Sequence, residues 1–260
     1  MQTITIPTRY YRLYRNDSPF RCDEQDFHYH NEELSLPAEE CALVLVDCWN
    51  NHYADSWLRR GAAIIQEVVL PVVTAARKAG IPVVHAPTEE VARRYPQSEL
   101  LFEPGDEERP TRYTVPDLEW PPAEFVKRAG EYEPYRRRSH ASGWKDHIPP
   151  LLIADCLGPE PEDFVVRSGN QLHKLLKSRH FLHLFYAGFA TNMCVLHRDY
   201  GMRAMANRGY NLIFIRDATA AIETHDTVDQ QVNRAVYTRE IEAMLAYSTT
   251  SADFVGALAD

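Results

Sequence analysis

The sequence predicts an α/β protein: a three-layer α/β/α fold with a mostly parallel, doubly wound sheet. Two observations carry this prediction. Short apolar runs, typical of strands buried on both faces of a sheet, alternate with segments of helical periodicity. These runs are residues 42–46, 81–84, 164–166, 182–186 and 212–215. The chain of 260 residues, 45% of them hydrophobic, is also long enough for one large domain with a well-buried core.

Residues 1–40 are predicted to form an N-terminal arm. They are rich in Tyr, Arg, Asp and Glu, and the alternation in ITIPTRYYRLYR is typical of one or two edge strands. We expect this arm to lie on the domain or on a neighbouring subunit. Residues 41–260 are then predicted to form a single domain.

The first two buried runs each end in a residue that can do chemistry. ALVLV is followed by Asp47, which is either a helix cap or a group at the active edge of the sheet. Residues 61–79 carry Ile and Val at helical spacing, which predicts an amphipathic helix that Pro71 kinks and Gly80 ends. The next run, IPVVHAP, ends at His85, which is either a ligand of a bound molecule or a hydrogen-bonded core residue.

Residues 88–150 differ in composition from the rest of the chain. They are dense in Pro, Glu, Arg and Tyr, with no sustained apolar period. We predict a long, mostly irregular insertion with short helices, of the kind that covers a site or builds an interface. Its basic segment is either a cationic face for a carboxylate-bearing substrate or a solvated surface. The residues concerned are Arg136, Arg137, Arg138, His140 and Lys145.

The most informative stretch is a strand–helix–strand unit that begins at residue 182. A short apolar run is broken by Gly188, and Thr191 and Asn192 are residues that can cap a helix start. Cys194 falls in the first helical turn, where unpaired backbone amides and the helix dipole favour a thiolate. A buried structural cysteine is the alternative, but ligands of open α/β sheets bind at the carboxyl ends of the strands.

The predicted strands end at Asp47, His85, Arg167, Cys194 and Asp217. Right-handed crossovers bring the carboxyl ends of parallel strands to one edge of the sheet. A thiol, a carboxylate and a cation at that edge are the parts needed for nucleophilic acyl transfer.

GFATNMCV followed by RDATAA resembles the nucleophile segment of the isochorismatase-like cysteine hydrolases, whose usual form is G-[VI]-x-T-[ND]-x-C-V. The family includes nicotinamidases and amidohydrolases of N-carbamoylsarcosine and ureidoacrylate. The resemblance implies the isochorismatase-like fold, with Cys194 as nucleophile and Asp47 as its base. It also implies a cis peptide bond in the turn Phe189–Ala190–Thr191, with the Ala190 and Cys194 amides as oxyanion donors.

The sequence departs from the family pattern in two places. Trp49 or Asn50, and His52 or Tyr53, stand where the family has Gln and Phe, so the pocket wall differs. Arg167 stands where the family has its catalytic lysine, and a guanidinium cannot be deprotonated in a protein. We rank Arg167 first and Lys145 second as the catalytic cation, with Lys174 and Lys127 as further alternatives. The predicted substrate-binding residues are Trp49, His52, His85, Lys145 and Asn192.

We expect no metal and no cofactor. Some amidases of the family bind zinc through an Asp-x-His motif, which is missing after the first strand, although His52, Asp55 and His85 could be assembled into a site. The five cysteines form no CxxC pair, which suits a reducing cytoplasm. The formal net charge of −9 argues against nucleic acid and anionic membranes as partners. We expect a small-molecule substrate and, by resemblance, a homo-oligomer (dimer or tetramer).

The resemblance implies C–N hydrolysis of a small amide, carbamoyl or ureido compound through a cysteine thioester. Two alternatives stay open. Family members that hydrolyse a vinyl ether, as in isochorismate, lack the cysteine. A catalytically inactive member acting as a binding protein is suggested by Arg167 and by the long insertion.

Overall fold

The computed structural model of the protein describes residues 2–14, 21–101, 120–136 and 144–259, without the side chains of Trp144 and Lys145. Its strands are β1 Thr3–Arg12, β2 His28–Pro37, β3 Cys41–Val46, β4 Val83–Ala86, β5 Phe164–Val165, β6 His183–Phe189, β7 Asn211–Ala220 and β8 Tyr247–Thr249. Its α-helices are α1 Asp55–Ile64, α2 Leu70–Lys78, α3 Glu89–Ala92, α4 Gln97–Leu100, α5 Ala123–Lys127, α6 Gly169–Arg179, α7 Met202–Asn207, α8 Val232–Met244 and α9 Ser251–Ala257.

The eight strands form one sheet in the order β2-β1-β8-β7-β6-β3-β4-β5. Strands β3 to β8 pair in parallel with one another, and the β1–β2 hairpin adds to β8 in an antiparallel sense. Residues 3–12 and 28–37 of the predicted arm are thus the two outermost strands on one side. The predicted α/β fold with a mostly parallel, doubly wound sheet is confirmed.

Successive side chains of a strand point to opposite faces of the sheet, so the buried strands contribute alternate residues to two apolar cores. On one face, Leu43 and Leu45 pack with side chains of α2 and α9. On the other face, Val44 and Val46 pack with side chains of α6, α7 and α8. Helices therefore cover both faces of the sheet, which gives the three layers.

Two helical segments differ from the sequence prediction. The helix expected over residues 61–79 begins earlier, at Asp55, and passes from α1 to α2 through a π-helical turn, Ile65–Val69. The single helix expected after β6 is instead a π-helical turn, Thr191–Val195, followed by α7. Gly201 precedes α7, and a Cβ at this position would lie 2.8 Å from the Val195 carbonyl oxygen.

The insertion is described in part. It contains α3, α4 and α5 and two short 3₁₀ segments, Gly130–Tyr135 and Trp144–His147. Arg137, Arg138 and His140 of the predicted cationic face lie outside the described residues. None of the helices in the described ranges combines the length and the apolarity needed to cross a bilayer.

Strands β3 and β6 approach closely at their carboxyl ends because Gly188 lies against Val46. Gly188 has φ +116°, and a Cβ at this position would lie 2.1 Å from the Val46 carbonyl oxygen. Only a glycine fits both the backbone conformation and the space. This contact sets the spacing between the residues that follow the two strands.

We predict that Gly188→Ala destabilises the protein by about 2–4 kcal/mol, because the new methyl group must displace backbone. Gly256→Ala is the control, since a Cβ there meets nothing within 4 Å. It should be neutral or stabilising by up to about 1 kcal/mol. Chemical denaturation measures both changes, and a Gly188→Ala variant as stable as the wild type would contradict the close approach of β3 and β6.

Candidate active site

Asp47 and Cys194 lie at the point where the sheet changes its winding direction. Asp47 follows β3, and Cys194 lies in the π-helical turn after β6, the neighbouring strand. From this pair the chain continues outward in opposite directions, to β4 on one side and to β7 on the other. Such a switch point opens a crevice at the carboxyl ends of the strands, where α/β proteins bind their ligands.

Asp47 is a buried carboxylate with both oxygens hydrogen-bonded. Its side chain accepts a bond from Arg198 Nε at 3.2 Å on Oδ2 and from the Tyr200 hydroxyl at 3.3 Å on Oδ1. The residue is 1% exposed, and its backbone has the left-handed φ of +44°. A buried charge is tolerated when it is paired and hydrogen-bonded, which Arg198 and Tyr200 provide.

The electrostatics couple Asp47 to the Cys194 thiol. Burial raises the pKa of Asp47 above its usual range, while Arg198, Cys194 and Tyr200 each lower it. Burial, with the charge of Asp47, raises the pKa of Cys194 to about 12, and Arg198 acts in the opposite direction. The thiol is therefore protonated at neutral pH, which corrects the expectation of a preformed thiolate. The pair consists of a thiol and an adjacent base.

Arg198 is the cation of this cluster. Its pKa is shifted by burial, which lowers it, and by the charges of Asp47, Tyr200 and Cys194, which together raise it above the usual value. Its guanidinium stays charged at any accessible pH. Arg198 can therefore hold negative charge on Asp47 or on the sulfur, but it cannot carry a proton between them.

The turn that carries Cys194 is fixed by side-chain bonds to β7 and the residues after it. Thr191 Oγ1 lies 2.8 Å from Thr219 Oγ1, and the Thr219 hydroxyl donates to the Gly188 carbonyl. Asn192 donates to the Ile222 carbonyl and accepts from its amide, both at 2.9 Å. The structure thus gives Thr191 and Asn192 a role in anchoring the turn, where the sequence predicted helix caps and, for Asn192, a substrate contact.

The peptide bond between Phe189 and Ala190 is cis, as the family resemblance implies. Ala190 is buried, and its carbonyl accepts from the Met193 and Val195 amides. The assignment of the Ala190 and Cys194 amides as oxyanion donors stays a prediction.

The prediction that Arg167 is the catalytic cation beside Asp47 needs correction. The Arg167 side chain is buried and bonds to Ser98 Oγ through Nε at 3.2 Å and pairs with Glu99, both from the α4 segment. The guanidinium on Asp47 belongs to Arg198 instead. The reason is the position of β5, which lies at the edge of the sheet, two strands away from β3, the strand that Asp47 follows.

The other predicted strand-end residues also have partners away from the Asp47–Cys194 pair. His85 is buried with Nε2 3.2 Å from Asp163 Oδ2, and burial lowers the pKa of its imidazole. Asp163 also accepts from Arg77 at 2.5 Å, so His85 is part of a structural cluster. Asp217 accepts bonds from the backbone amide and the hydroxyl of Ser251, at the start of α9.

None of the lysine alternatives is placed at Asp47 by the structure. Lys145 lies in a short 3₁₀ segment, and its side chain is outside the described residues. Lys127 and Lys174 are exposed on α5 and α6.

His52, in the loop after Asp47, and Trp57, on α1, form an aromatic pair beside the end of β6, just before the turn that holds Cys194. The ring centroids of His52 and Trp57 are 4.2 Å apart, and Trp57 meets Phe189 edge-on at 5.8 Å. His52 Nδ1 accepts from the Ala54 amide, and Trp49 pairs with Ile153 in a β-bridge. Substrate contacts of Trp49 and His52 stay predictions.

Among the described residues, no three His, Cys, Asp or Glu side chains are positioned to hold a metal ion. His52, Asp55 and His85 are accordingly not assembled into a site.

Sequence reasoning missed Arg198 and Tyr200. A signal for Arg198 was present, because residues four apart on a helical turn share a face, and Arg198 follows Cys194 by four. The Arg198 amide indeed bonds to the Cys194 carbonyl at 3.1 Å. No local pattern pointed to Tyr200, which reaches Asp47 only through the tertiary fold.

The Isochorismatase domain model matches residues 41–253, and the chain therefore belongs to the isochorismatase family. Ureidoacrylate amidohydrolase RutB of Azorhizobium caulinodans is 26% identical over 244 residues, which cover 88% of this chain and 94% of the relative. A crystal structure of a cysteine hydrolase from Pseudomonas syringae pv. phaseolicola shares the fold, with a TM-score of 0.54 and 17% identity, over 86% of this chain and 94% of that one.

We predict that Asp47→Asn lowers the pKa of Cys194 and that Arg198→Met raises it. Each shift should be about one pH unit or more, since an adjacent charge of the thiolate's own sign is removed in the first variant and an opposite one in the second. The measurement is the ultraviolet absorbance of the thiolate against pH, corrected with the same variant carrying Cys194→Ser. Arg167→Met is the control and should leave the midpoint unchanged. A shift in Arg167→Met without one in Arg198→Met would refute the assignment of Arg198.

Proposed function

We propose that this protein hydrolyses the C–N bond of a small amide, carbamoyl or ureido compound through a thioester on Cys194. The observation that carries the proposal is the coupling of the Cys194 thiol to the buried carboxylate of Asp47 at the switch point of the sheet. Membership of a hydrolase family and the amidohydrolase relative support the same reading.

The proposed reaction begins with proton transfer from Cys194 to Asp47 as the sulfur attacks the carbonyl carbon. The high pKa of the resting thiol makes this transfer part of the attack, because little thiolate exists beforehand. Burial raises the pKa of Asp47 above its usual range, which makes its carboxylate a stronger base than an exposed one. Arg198 stays charged throughout and balances the negative charge that moves between oxygen and sulfur.

The C–N bond then breaks, and Asp47 returns the proton to the leaving nitrogen. This leaves a thioester on Cys194 and releases an amine or ammonia. Water attacks the thioester in the second half of the reaction, and its proton passes to Asp47 and then to the sulfur. In this scheme the Ala190 and Cys194 amides bind the oxyanion formed in both halves, a contribution of order 3 kcal/mol per donor.

The ureidoacrylate relative makes ureidoacrylate the first compound to assay, with simple carbamoyl and amide compounds beside it. Isochorismate belongs in the same panel because a vinyl-ether hydrolase is the alternative. Retention of Cys194 favours the C–N reaction, since vinyl-ether cleavage requires no nucleophilic thiol. A chain inactive toward every compound, with an unreactive Cys194, would favour the binding protein.

We predict that Cys194→Ser and Asp47→Asn each reduce turnover of the accepted compound by roughly 10³-fold or more. The melting temperature should change little, because both substitutions conserve shape. Cys22→Ser is the matched control, since Cys22 is exposed and lies outside the cluster. Turnover is measured by release of ammonia or amine. Near-normal turnover in Cys194→Ser would exclude covalent catalysis by this thiol.

A further inference from the structure

Tyr200 donates a hydrogen bond to one of the two oxygens of the catalytic carboxylate. It is 2% exposed, and its hydroxyl lies 3.3 Å from Asp47 Oδ1, while Arg198 binds Oδ2. An ionised carboxylate only accepts hydrogen bonds, so the phenol must be the donor. The pKa of Tyr200 is well above its usual value because of burial and the charge of Asp47, so the phenol keeps its proton.

Hydrogen bonds from β6 and from the start of α6 hold the backbone around Tyr200. The Tyr200 carbonyl accepts from the Tyr186 hydroxyl at 2.9 Å, and Tyr186 is a fully buried residue of β6. Asp199 accepts from the Gly169 amide at 2.8 Å at the start of α6. A Cβ on Gly169 would lie 2.0 Å from the Asp199 carbonyl oxygen, so no other residue permits this approach. The position of the phenol is therefore set by β6 and α6 together.

Among the residues that the structure describes, few other groups near Asp47 could donate a hydrogen bond to its carboxylate. Those that act on Asp47 are Arg198, Cys194 and Tyr200, and those that act on the Tyr200 phenol also include Asp199. On the adjoining segments, the Cys48 thiol is bonded to the Val46 carbonyl, and His85 of β4 is bonded to Asp163. In the described part of the chain, the donors to the carboxylate are thus the Tyr200 phenol, the Arg198 guanidinium and the Cys194 thiol.

We propose that Tyr200 is a positioning residue of the hydrolase, which rests on the proposed function: its hydroxyl holds Oδ1 of Asp47 and keeps the carboxylate ionised and oriented toward Cys194. Arg198 supplies the charge and Tyr200 a second donor, so the two share the task of stabilising the base. The phenol does not touch the reacting carbon or sulfur in this assignment. Its effect reaches the chemistry through Asp47.

The expected consequence is a shift in the titration of Asp47. A hydrogen bond donated to the charged form lowers a carboxyl pKa, so its removal in Tyr200→Phe raises that pKa. Bonds to charged groups are worth more than neutral ones, which corresponds to a shift of roughly one pH unit or more. The measurement is the infrared band of the protonated carboxyl group against pH, identified as the band that Asp47→Asn lacks.

Tyr210→Phe is the matched control. It also removes one tyrosine hydroxyl from the domain, but that hydroxyl lies 2.8 Å from the His173 ring and contacts neither Asp47 nor Tyr200. It should leave the Asp47 midpoint unchanged. Equal midpoints in Tyr200→Phe and the wild type, or equal shifts in both variants, would overturn the proposal.

A substitution that should shift the pKa of Asp47 in the opposite direction covers the case in which Tyr200→Phe does not fold. Tyr200→3-fluorotyrosine makes the phenol more acidic and a stronger donor, so the Asp47 midpoint should move to lower pH; a midpoint that stays or rises would also overturn the proposal. The infrared titration needs no substrate. Its failure would leave the thioester mechanism standing, whereas an active Cys194→Ser variant would remove the mechanism without touching the titration.

Discussion

The site depends on keeping one carboxylate charged where little water reaches it. Burial alone would favour the neutral acid at Asp47, which could not accept a proton from a thiol. Arg198 and Tyr200 oppose this, one with charge and one with a hydrogen bond, and both come from the segment that follows Cys194. In the proposed reaction, base, cation and nucleophile are joined in one cluster, so the thiol can rest protonated and still be activated when a carbonyl group arrives.

The fold brings these groups together through close backbone contacts at two glycines. Gly188 lets β6 approach β3, which places the turn of Cys194 beside Asp47. Gly169 lets the start of α6 approach Asp199, which fixes the segment bearing Arg198 and Tyr200. The remaining strands of the parallel sheet support this pair of contacts from both sides, and the two apolar cores hold the helices over them.

The sequence was sufficient to predict the sheet and the placement of Asp47 and Cys194 at one edge of it, because buried parallel strands are continuous apolar runs whose ends can be read from the sequence. Their catalytic roles stay predictions. The sequence failed for the cation. Arg167 stands where the family has its catalytic lysine, but β5 lies at the edge of the sheet and the arginine that follows it pairs with Glu99. Arg198 and Tyr200 lie where a predicted helix breaks into a π-helical turn and an irregular segment, and propensity does not show such a break. The pKa of Cys194 likewise depends on burial and on the charges of Asp47 and Arg198, which only the folded arrangement brings together.

The most direct test of the thioester is acid quenching during turnover of ureidoacrylate, or of another accepted carbamoyl, ureido or amide compound, followed by peptide mass analysis. Hydroxylamine in a parallel reaction should capture the acyl group as a hydroxamate. The account predicts an acyl adduct on the peptide that contains Cys194, and hydroxamate formed at the expense of the acid. Turnover with Cys194 unmodified at every time, no hydroxamate, or an adduct on a different residue would contradict it.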